Sequence, residues 1–359
     1  MSHSGHSLLI GTYTEKLPHV TGVADGILGA SYDPRTGSVG PVAVLARTTN
    51  PSYLALDQDA THLYAVNETH TFEGRPGGGI TAYARDPRSG ALVQISTKSS
   101  GGVAPCHLAV DGRYLLVANY DSGSATSVAL ESDGRLGPEH AHLQHAGSSA
   151  HPERQAGPHI HMTCPDPVTG DVLVVDLGLD AVLTYQLSPS GLTERPGTRL
   201  AAPPGSGPRH IAFHPDGRHL FLVCELASVV LILRRAAGRL VVVGEAPTLP
   251  AAASGPASLA GAIRVTSSGR HVLVSNRGHD SVVMLRFSPD APALTLADIQ
   301  PSGGAGPRDM CLTPEGDRLI VANQDSHSLV VMDVDEDGSA LRPVSATAAA
   351  SPSSVLFAS

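Results

Sequence analysis

The chain has 359 residues, of which 41% are hydrophobic and 16% charged, with a formal net charge of −9. That supplies a sizeable core, and the acidic balance offers no basic face for nucleic acid. No apolar run reaches the ~18 residues of a membrane span, and MSHSGHSLLIGTYT at the start lacks the basic and apolar regions of a signal peptide. A cytoplasmic protein that neither enters a membrane nor binds nucleic acid is expected.

Glycine (38) and proline (28) favour many short strands and tight turns over long helices. The cysteines, Cys106, Cys164, Cys224 and Cys311, are far apart with no CxxC spacing. Neither a zinc knuckle nor a disulfide framework is implied, and buried, reduced thiols are expected.

In chain order, LLIGTYT (8–14) resembles the second strand of a repeat unit, 26–40 its third strand and turn, and PVAVLAR (41–47) its fourth. Six hairpins then repeat one pattern: PSYLALDQDATHLYAVNE from 51, PCHLAVDGRYLLVANY from 105, PHIHMTCPDPVTGDVLVVDL from 158, PRHIAFHPDGRHLFLVCE from 208, AGAIRVTSSGRHVLVSNR from 260 and PRDMCLTPEGDRLIVANQ from 307. Their starts lie 54, 53, 50, 52 and 47 residues apart, near the ~40–50 of propeller repeats. In the fourth, Pro215-Asp216-Gly217-Arg218 is the turn: proline presets φ and glycine tolerates φ > 0.

Each hairpin is followed by a third β-rich run, such as GGITAYAR or SVVMLRF, then a turn with glycine and a fourth strand starting near Leu92, Leu136, Leu192, Leu240, Leu294 or Leu341. Four antiparallel strands per repeat make a propeller blade. The N-terminal strands lack a first strand, and PSSVLF (352–357) is a lone one. The expectation is an all-β, seven-bladed β-propeller, one domain over 1–359, whose first blade is closed by the C-terminal strand. The runs 145–158 and 247–260 read as long loops, and His140, His142, His145 and His151 as solvated.

In a propeller the first strands line the central channel, and their starts share a mouth with the ends of the second strands. The first-strand starts carry Ser52-Tyr53, Cys106-His107, His159-Ile160-His161, Arg209-His210, Gly261-Ala262, Arg308-Asp309 and Ser353-Ser354. The second-strand ends carry Asn67-Glu68, Asn119-Tyr120, Asp176, Cys224-Glu225, Asn276-Arg277 and Asn323-Gln324. Histidines, arginines, carboxylates and amides should therefore converge. The repeated V-x-N asparagines also suit a structural role, satisfying backbone groups. Arginines pointing into a channel suit an anionic ligand. His159 and His161, two apart on a strand, would share a face, but a metal site needs a third ligand and nearby arginines would repel a cation. No metal and no cofactor is expected. There is no GxSxG elbow, P-loop or strand-linked GxGxxG.

IGTYT, NPSYLALD, PCHLAVDGRYLLVANYDSGS, DLGLD, GPRHIAFHPDGR, SNRGHDS, GPRDM and ANQDS, spread over residues 8–357, together resemble the seven-bladed β-propeller lactonase family of 6-phosphogluconolactonase type. That family is itself similar to the fungal carboxy-muconate cyclases. The resemblance implies a lactonase with catalytic groups at His161, Arg209, Glu225 and Arg277. Cys224 departs from the asparagine that the family often has before the glutamate. The expected activity is hydrolysis of a small anionic lactone, with His161 and Glu225 sharing acid and base work and Arg209 and Arg277 holding the anion and oxyanion. Tyr53, Glu68, His107, His159, His210, Asn119, Asp176, Arg308 and Gln324 would shape the mouth and bind substrate. Two rivals stay open: a cycloisomerase in the same pocket and a non-catalytic binding propeller. A monomer or homodimer is expected.

Overall fold

The structure, a computed structural model, describes residues 6–250 and 258–358. The first five residues, and with them the start of the N-terminal segment, lie outside the described residues, as does the middle of the Ala/Ser/Pro-rich loop. Every regular element described is a strand. They form seven antiparallel sheets of four or five strands and two short two-stranded ribbons, the seven blades of a β-propeller.

Blade 1 joins Pro352–Ala358, His6–Thr12 and Gly26–Asp33, with Ser38–Val39 and Ala43–Arg47 both on the outer side of the third. Ile10 pairs with Val355 and Leu8 with Phe357, so the closing strand is the C-terminal one, as expected. Asp309 reinforces it, accepting from the Val355 N–H at 3.0 Å. The other first strands begin at Leu54, Pro105, Ile160, Pro208, Leu259 and Pro307. Two ribbons, Lys16–Leu17 with Val20–Thr21 and Thr71–Phe72 with Arg75–Pro76, were not foreseen. They lie inside loops too short and polar to give a periodic signal.

Burial follows strand order within a blade. The second strand His219–Cys224 is buried throughout, whereas the fourth strand Leu92–Ser99 alternates in exposure. Inner strands pack neighbouring sheets on both faces and read as continuous apolar runs; outer strands meet water on alternate residues. Between blades 5 and 6, Phe221, Val223, Val230 and Ile232 meet Ile263, Val272, Val274 and Val283. Between blades 2 and 3, Tyr64, Val66 and Ile80 meet Leu108, Leu115 and Val117. Each such side chain contributes about 1.5–3 kcal/mol on burial.

By internal contacts the chain forms two compact units. One takes residues up to 24, 28–44 and from 210 onward, and so most of blades 1, 5, 6 and 7; the other takes 25–27 and 45–209, and so blades 2–4 and Arg209.

Candidate active site

The second-strand ends show first what is scaffold. Asn67 Nδ2 donates to Thr49 O at 2.7 Å, Asn119 to Ser100 O at 3.3 Å, Asn276 to Thr248 O at 3.1 Å and Asn323 to Ser302 O at 3.1 Å. In each case the asparagine at the end of one blade's second strand ties down the chain leaving the previous blade. These buried amides staple blade to blade. Asn119 therefore serves structure, the role its V-x-N pattern suggested.

Blade 4 builds the staple differently. Asp176 takes the asparagine's place and His145 the loop position, with Nδ1 2.7 Å from Asp176 Oδ2. Burial, followed by the nearby Glu194 and Asp176 charges, pushes the Tyr185 phenol up to about 12. It therefore stays protonated, and its hydroxyl lies 3.0 Å from His145 Nε2. The other Asp176 oxygen accepts from the backbone of His159 and Leu179 at 2.9 and 3.1 Å. Asp176 thereby anchors the His159 segment. Two histidines expected to be solvated are placed otherwise. His145, just past the fourth strand Leu136–Gln144, is buried and not solvated, and His140, within that strand, packs on Tyr114 with ring centroids 4.3 Å apart.

The first-strand starts carry the second regularity, a one-residue bulge. The ladder passes from Pro105 to His107 over Cys106, from Ile160 to Met162 over His161, and from Pro307 to Asp309 over Arg308. It slips likewise at Ser353 and at Gly261-Ala262. A bulge re-aims its extra residue out of the ladder. Ser52 and Arg209 occupy the same place in the repeat. The bulge also ends the simple alternation expected of His159 and His161: His159 precedes the first ladder pair, and His161 is the bulged residue. Both still meet Tyr120, His159 face-on at 4.5 Å between centroids and His161 edge-on at 5.6 Å.

The arginine-bearing starts are fixed by aspartates of the preceding blade. Asp180 Oδ1 accepts from Gly207 N at 2.7 Å, and Asp280 Oδ1 from Gly306 N at 2.9 Å. Gly207 and Gly306 both hold φ +67°, a left-handed conformation suited to glycine. Each leads through a proline into its arginine.

In the unit from residue 210 onward, Arg277 Nη2 lies 2.7 Å from Glu225 Oε2. The same nitrogen donates to Ala260 O at 3.2 Å. Arg308 lies over the Tyr13 ring at 5.1 Å, a cation–π contact that holds a guanidinium without neutralising it. Gln324 Nε2 donates to Asp325 at 2.9 Å. Four buried polar atoms at or beside ring positions of this unit have no hydrogen-bond partner: Asn323 Oδ1, Gln324 Oε1, Arg277 Nε and Ser354 Oγ. His210 is buried beside Arg209 in sequence.

In the unit ending at Arg209, Ser52 Oγ donates to Glu68 Oε2 at 2.5 Å. Tyr53 stacks obliquely on His107 at 4.3 Å. Cys106 Sγ lies 4.0 Å from His161 Nδ1. His107, His161, Arg209 and Glu68 are all buried. Sequence reading placed Tyr120 among the second-strand ends without giving it a role and passed over Tyr13, although both stand at the position that holds Glu225 and Arg277 in other blades. It also passed over Arg154, whose Nη2 donates to Tyr120 OH at 3.1 Å. Arg154 sits on a loop outside the repeat, where periodicity carries no signal.

Among the described residues, His214, Asp216 and His219 bring three donor atoms within 4.8 Å, close enough for a metal. They lie at the turn end of the blade 5 hairpin, away from Arg209 and Glu225. Hydrogen bonds among them lock the turn, with His219 Nδ1 2.7 Å from Asp216 Oδ2.

The described residues contain no helix long and apolar enough to cross a membrane. The family model for the seven-bladed β-propeller lactonases matches residues 7–357. A 6-phosphogluconolactonase of Bacillus subtilis is 32% identical over 332 residues, 91% of each chain. The solved structure of a periplasmic gluconolactonase from Pseudomonas aeruginosa is 34% identical with a TM-score of 0.91, covering 99% of each chain. A solved protein from Lactobacillus plantarum is 31% identical with a TM-score of 0.89, covering 98% of this chain and 99% of that one. The chain belongs to the seven-bladed β-propeller lactonase family, a family of hydrolases.

Proposed function

We propose that the protein hydrolyses a small anionic lactone, with 6-phosphoglucono-δ-lactone the first substrate to test, at the mouth of the propeller channel. The observation that carries this reading is the buried Glu225–Arg277 pair at 2.7 Å, on a ring position that also holds partnerless polar atoms. Buried orphans of this kind call for a ligand or water.

A carboxylate against a guanidinium is held in its charged form. Glu225 therefore takes a proton from water as the water oxygen bonds to the lactone carbonyl. Arg209 and Arg277 stabilise the oxyanion. As the ring C–O bond breaks, His161 gives its proton to the departing alkoxide, leaving a hydroxy acid. Imidazole suits that task near neutral pH. The free acid of the product then re-protonates His161, and Glu225 releases the water-derived proton to solvent, which resets the site.

His161→Asn should lower kcat by about 10²–10⁴, the usual worth of a positioned acid, and should remove the alkaline limb of the pH profile. Unchanged kcat with the limb intact sinks the assignment. Reaction in heavy-oxygen water separates hydrolysis from cyclisation, because hydrolysis alone places the label in the product carboxylate.

We further read the whole chain as one propeller domain acting in the cytoplasm. None of the four cysteines forms a disulfide, which fits a reducing compartment. Cell fractionation checks this directly, and it matters because one relative is named periplasmic.

A further inference from the structure

Three side chains at the turn of the blade 5 hairpin form a donor set that the lactonase reading does not use. His214 follows the first strand Pro208–Phe213, Asp216 lies in the turn, and His219 opens the second strand His219–Cys224. One donor atom of each lies within 4.8 Å of the others. Both oxygens of the one carboxylate face an imidazole. Asp216 Oδ1 is 3.0 Å from His214 Nδ1, and Oδ2 is 2.7 Å from His219 Nδ1. The imidazole side chains are 10% and 7% exposed and the carboxylate 27%, so the set reaches solvent through Asp216.

The turn itself does not need an imidazole at 214. Blades 6 and 7 close the equivalent turn with a threonine: Thr266 Oγ1 accepts from His271 N and Thr313 Oγ1 from Arg318 N, each at 3.2 Å. In blade 5 the carboxylate does that work, accepting from Arg218 N at 2.7 Å and from His219 N at 2.9 Å. These two bonds also fix the direction of the carboxylate.

His214 is oriented from its far side. Its Nε2 donates to Gly269 O at 3.1 Å, on the neighbouring turn of blade 6. A carbonyl only accepts, so Nε2 carries the hydrogen and Nδ1 a lone pair, to which Asp216 N donates at 3.2 Å. A Cβ at Gly269 would collide with His214 Nε2, so glycine permits this approach. An outer N–H bonded to a backbone carbonyl is the usual second contact of a metal-bound imidazole. The Nδ1 lone pair also faces Asp216 Oδ1, acceptor against acceptor, and a shared cation relieves that.

We propose that His214, Asp216 and His219 bind one zinc ion, which clips the blade 5 turn against the blade 6 turn. Two imidazoles and a carboxylate suit zinc, whereas magnesium and calcium take oxygen shells. Zinc bonds of ~2.0–2.2 Å draw the three donors slightly closer than they stand, and water fills the fourth position. The ion displaces the proton shared by His219 and Asp216, which goes to solvent. It also takes the His214 lone pair from Asp216 N, and the exposed turn lets that N–H bond to water instead. The site lies at the opposite end of the hairpin from Arg209 and Glu225 and does not depend on the lactonase reading.

The test titrates zinc into chelator-stripped, full-length protein against a chromophoric chelator. Wild type should bind one ion with a dissociation constant on the order of micromolar or tighter. His214→Asn and His219→Asn should each weaken it at least about 10-fold. His62→Asn removes the imidazole at the matching place in blade 2 and should shift binding under about threefold. The chain has 18 histidines, and this comparison separates the site from scattered binding. Zinc should also raise the melting temperature of wild type and of neither blade 5 variant, and calcium or magnesium at about 100-fold excess should not displace it. No such site or thermal shift in wild type, its retention by either blade 5 variant, equal loss in His62→Asn, or displacement by calcium or magnesium overturns the inference. Should His219→Asn not fold, Asp216→Asn, at the exposed turn, takes its place.

Discussion

Arg277 meets Glu225 at 2.7 Å, the carboxylate 3% and the guanidinium 17% exposed. Two groups this close act as a unit, and their replacement should not be additive. Glu225→Gln is expected to lower kcat by about 10²–10⁴, and Arg277→Gln to lower kcat/KM comparably. The double variant should be no worse than the weaker single one. Steady-state kinetics on all three, with full additivity as the contrary result, checks the pairing.

The blade staples predict a stability effect apart from chemistry. Thr248 Oγ1 donates to Asn276 Oδ1 at 2.6 Å in a buried site. Thr248→Val keeps the shape and strands the amide oxygen, at a cost of about 1–3 kcal/mol. Denaturant unfolding should show this loss while kcat/KM stays within about threefold; a neutral result would mean that the staple adds nothing.

Turn chemistry predicts an acid-dependent term. Burial raises the Asp216 carboxyl, but bonds from the His219 side chain, from the His219 and Arg218 N–H groups and from His214 outweigh it and hold it well below the ordinary 3.8. A folded-state value lowered in this way contributes stability above the unfolded value and loses it as pH falls through the folded one. Asp216→Asn should therefore lower the melting temperature at pH 7, and the gap to wild type should narrow below about pH 3.8. A gap independent of pH would assign the effect to shape alone.

Closure predicts an all-or-none dependence on one strand. Removing 352–359 uncovers the ladder edge of His6–Thr12, which pairs with Pro352–Ala358. An open, apolar edge invites association. The truncated chain should be aggregated or unfolded by light scattering and circular dichroism; a stable monomer would contradict this.

Much of this architecture is legible in the residues, and the reason is repetition. A proline at most first-strand starts and an asparagine at four of the second-strand ends return from blade to blade, so Arg209, Arg308, Glu225 and Arg277 fall into place by alignment alone. What escapes is whatever one blade does alone. His145 and Asp176 replace a Ser or Thr and Asn staple with a pair that looks in sequence like a solvated histidine and a site aspartate. The bulge at His161 is equally silent, since bulges leave no period. Arg154 reaches Tyr120 from a loop outside the repeat, and no spacing rule connects residues 34 apart.

The bulges at the first-strand starts have a wider bearing. Serine, cysteine, histidine, arginine and glycine occupy equivalent places there, and each stands outside the ladder that its neighbours maintain. A residue released from pairing can be exchanged with little disturbance to register. The scaffold thereby separates what it recognises from how it holds together, so new ligand preferences can arise on an unchanged frame through single substitutions at these places.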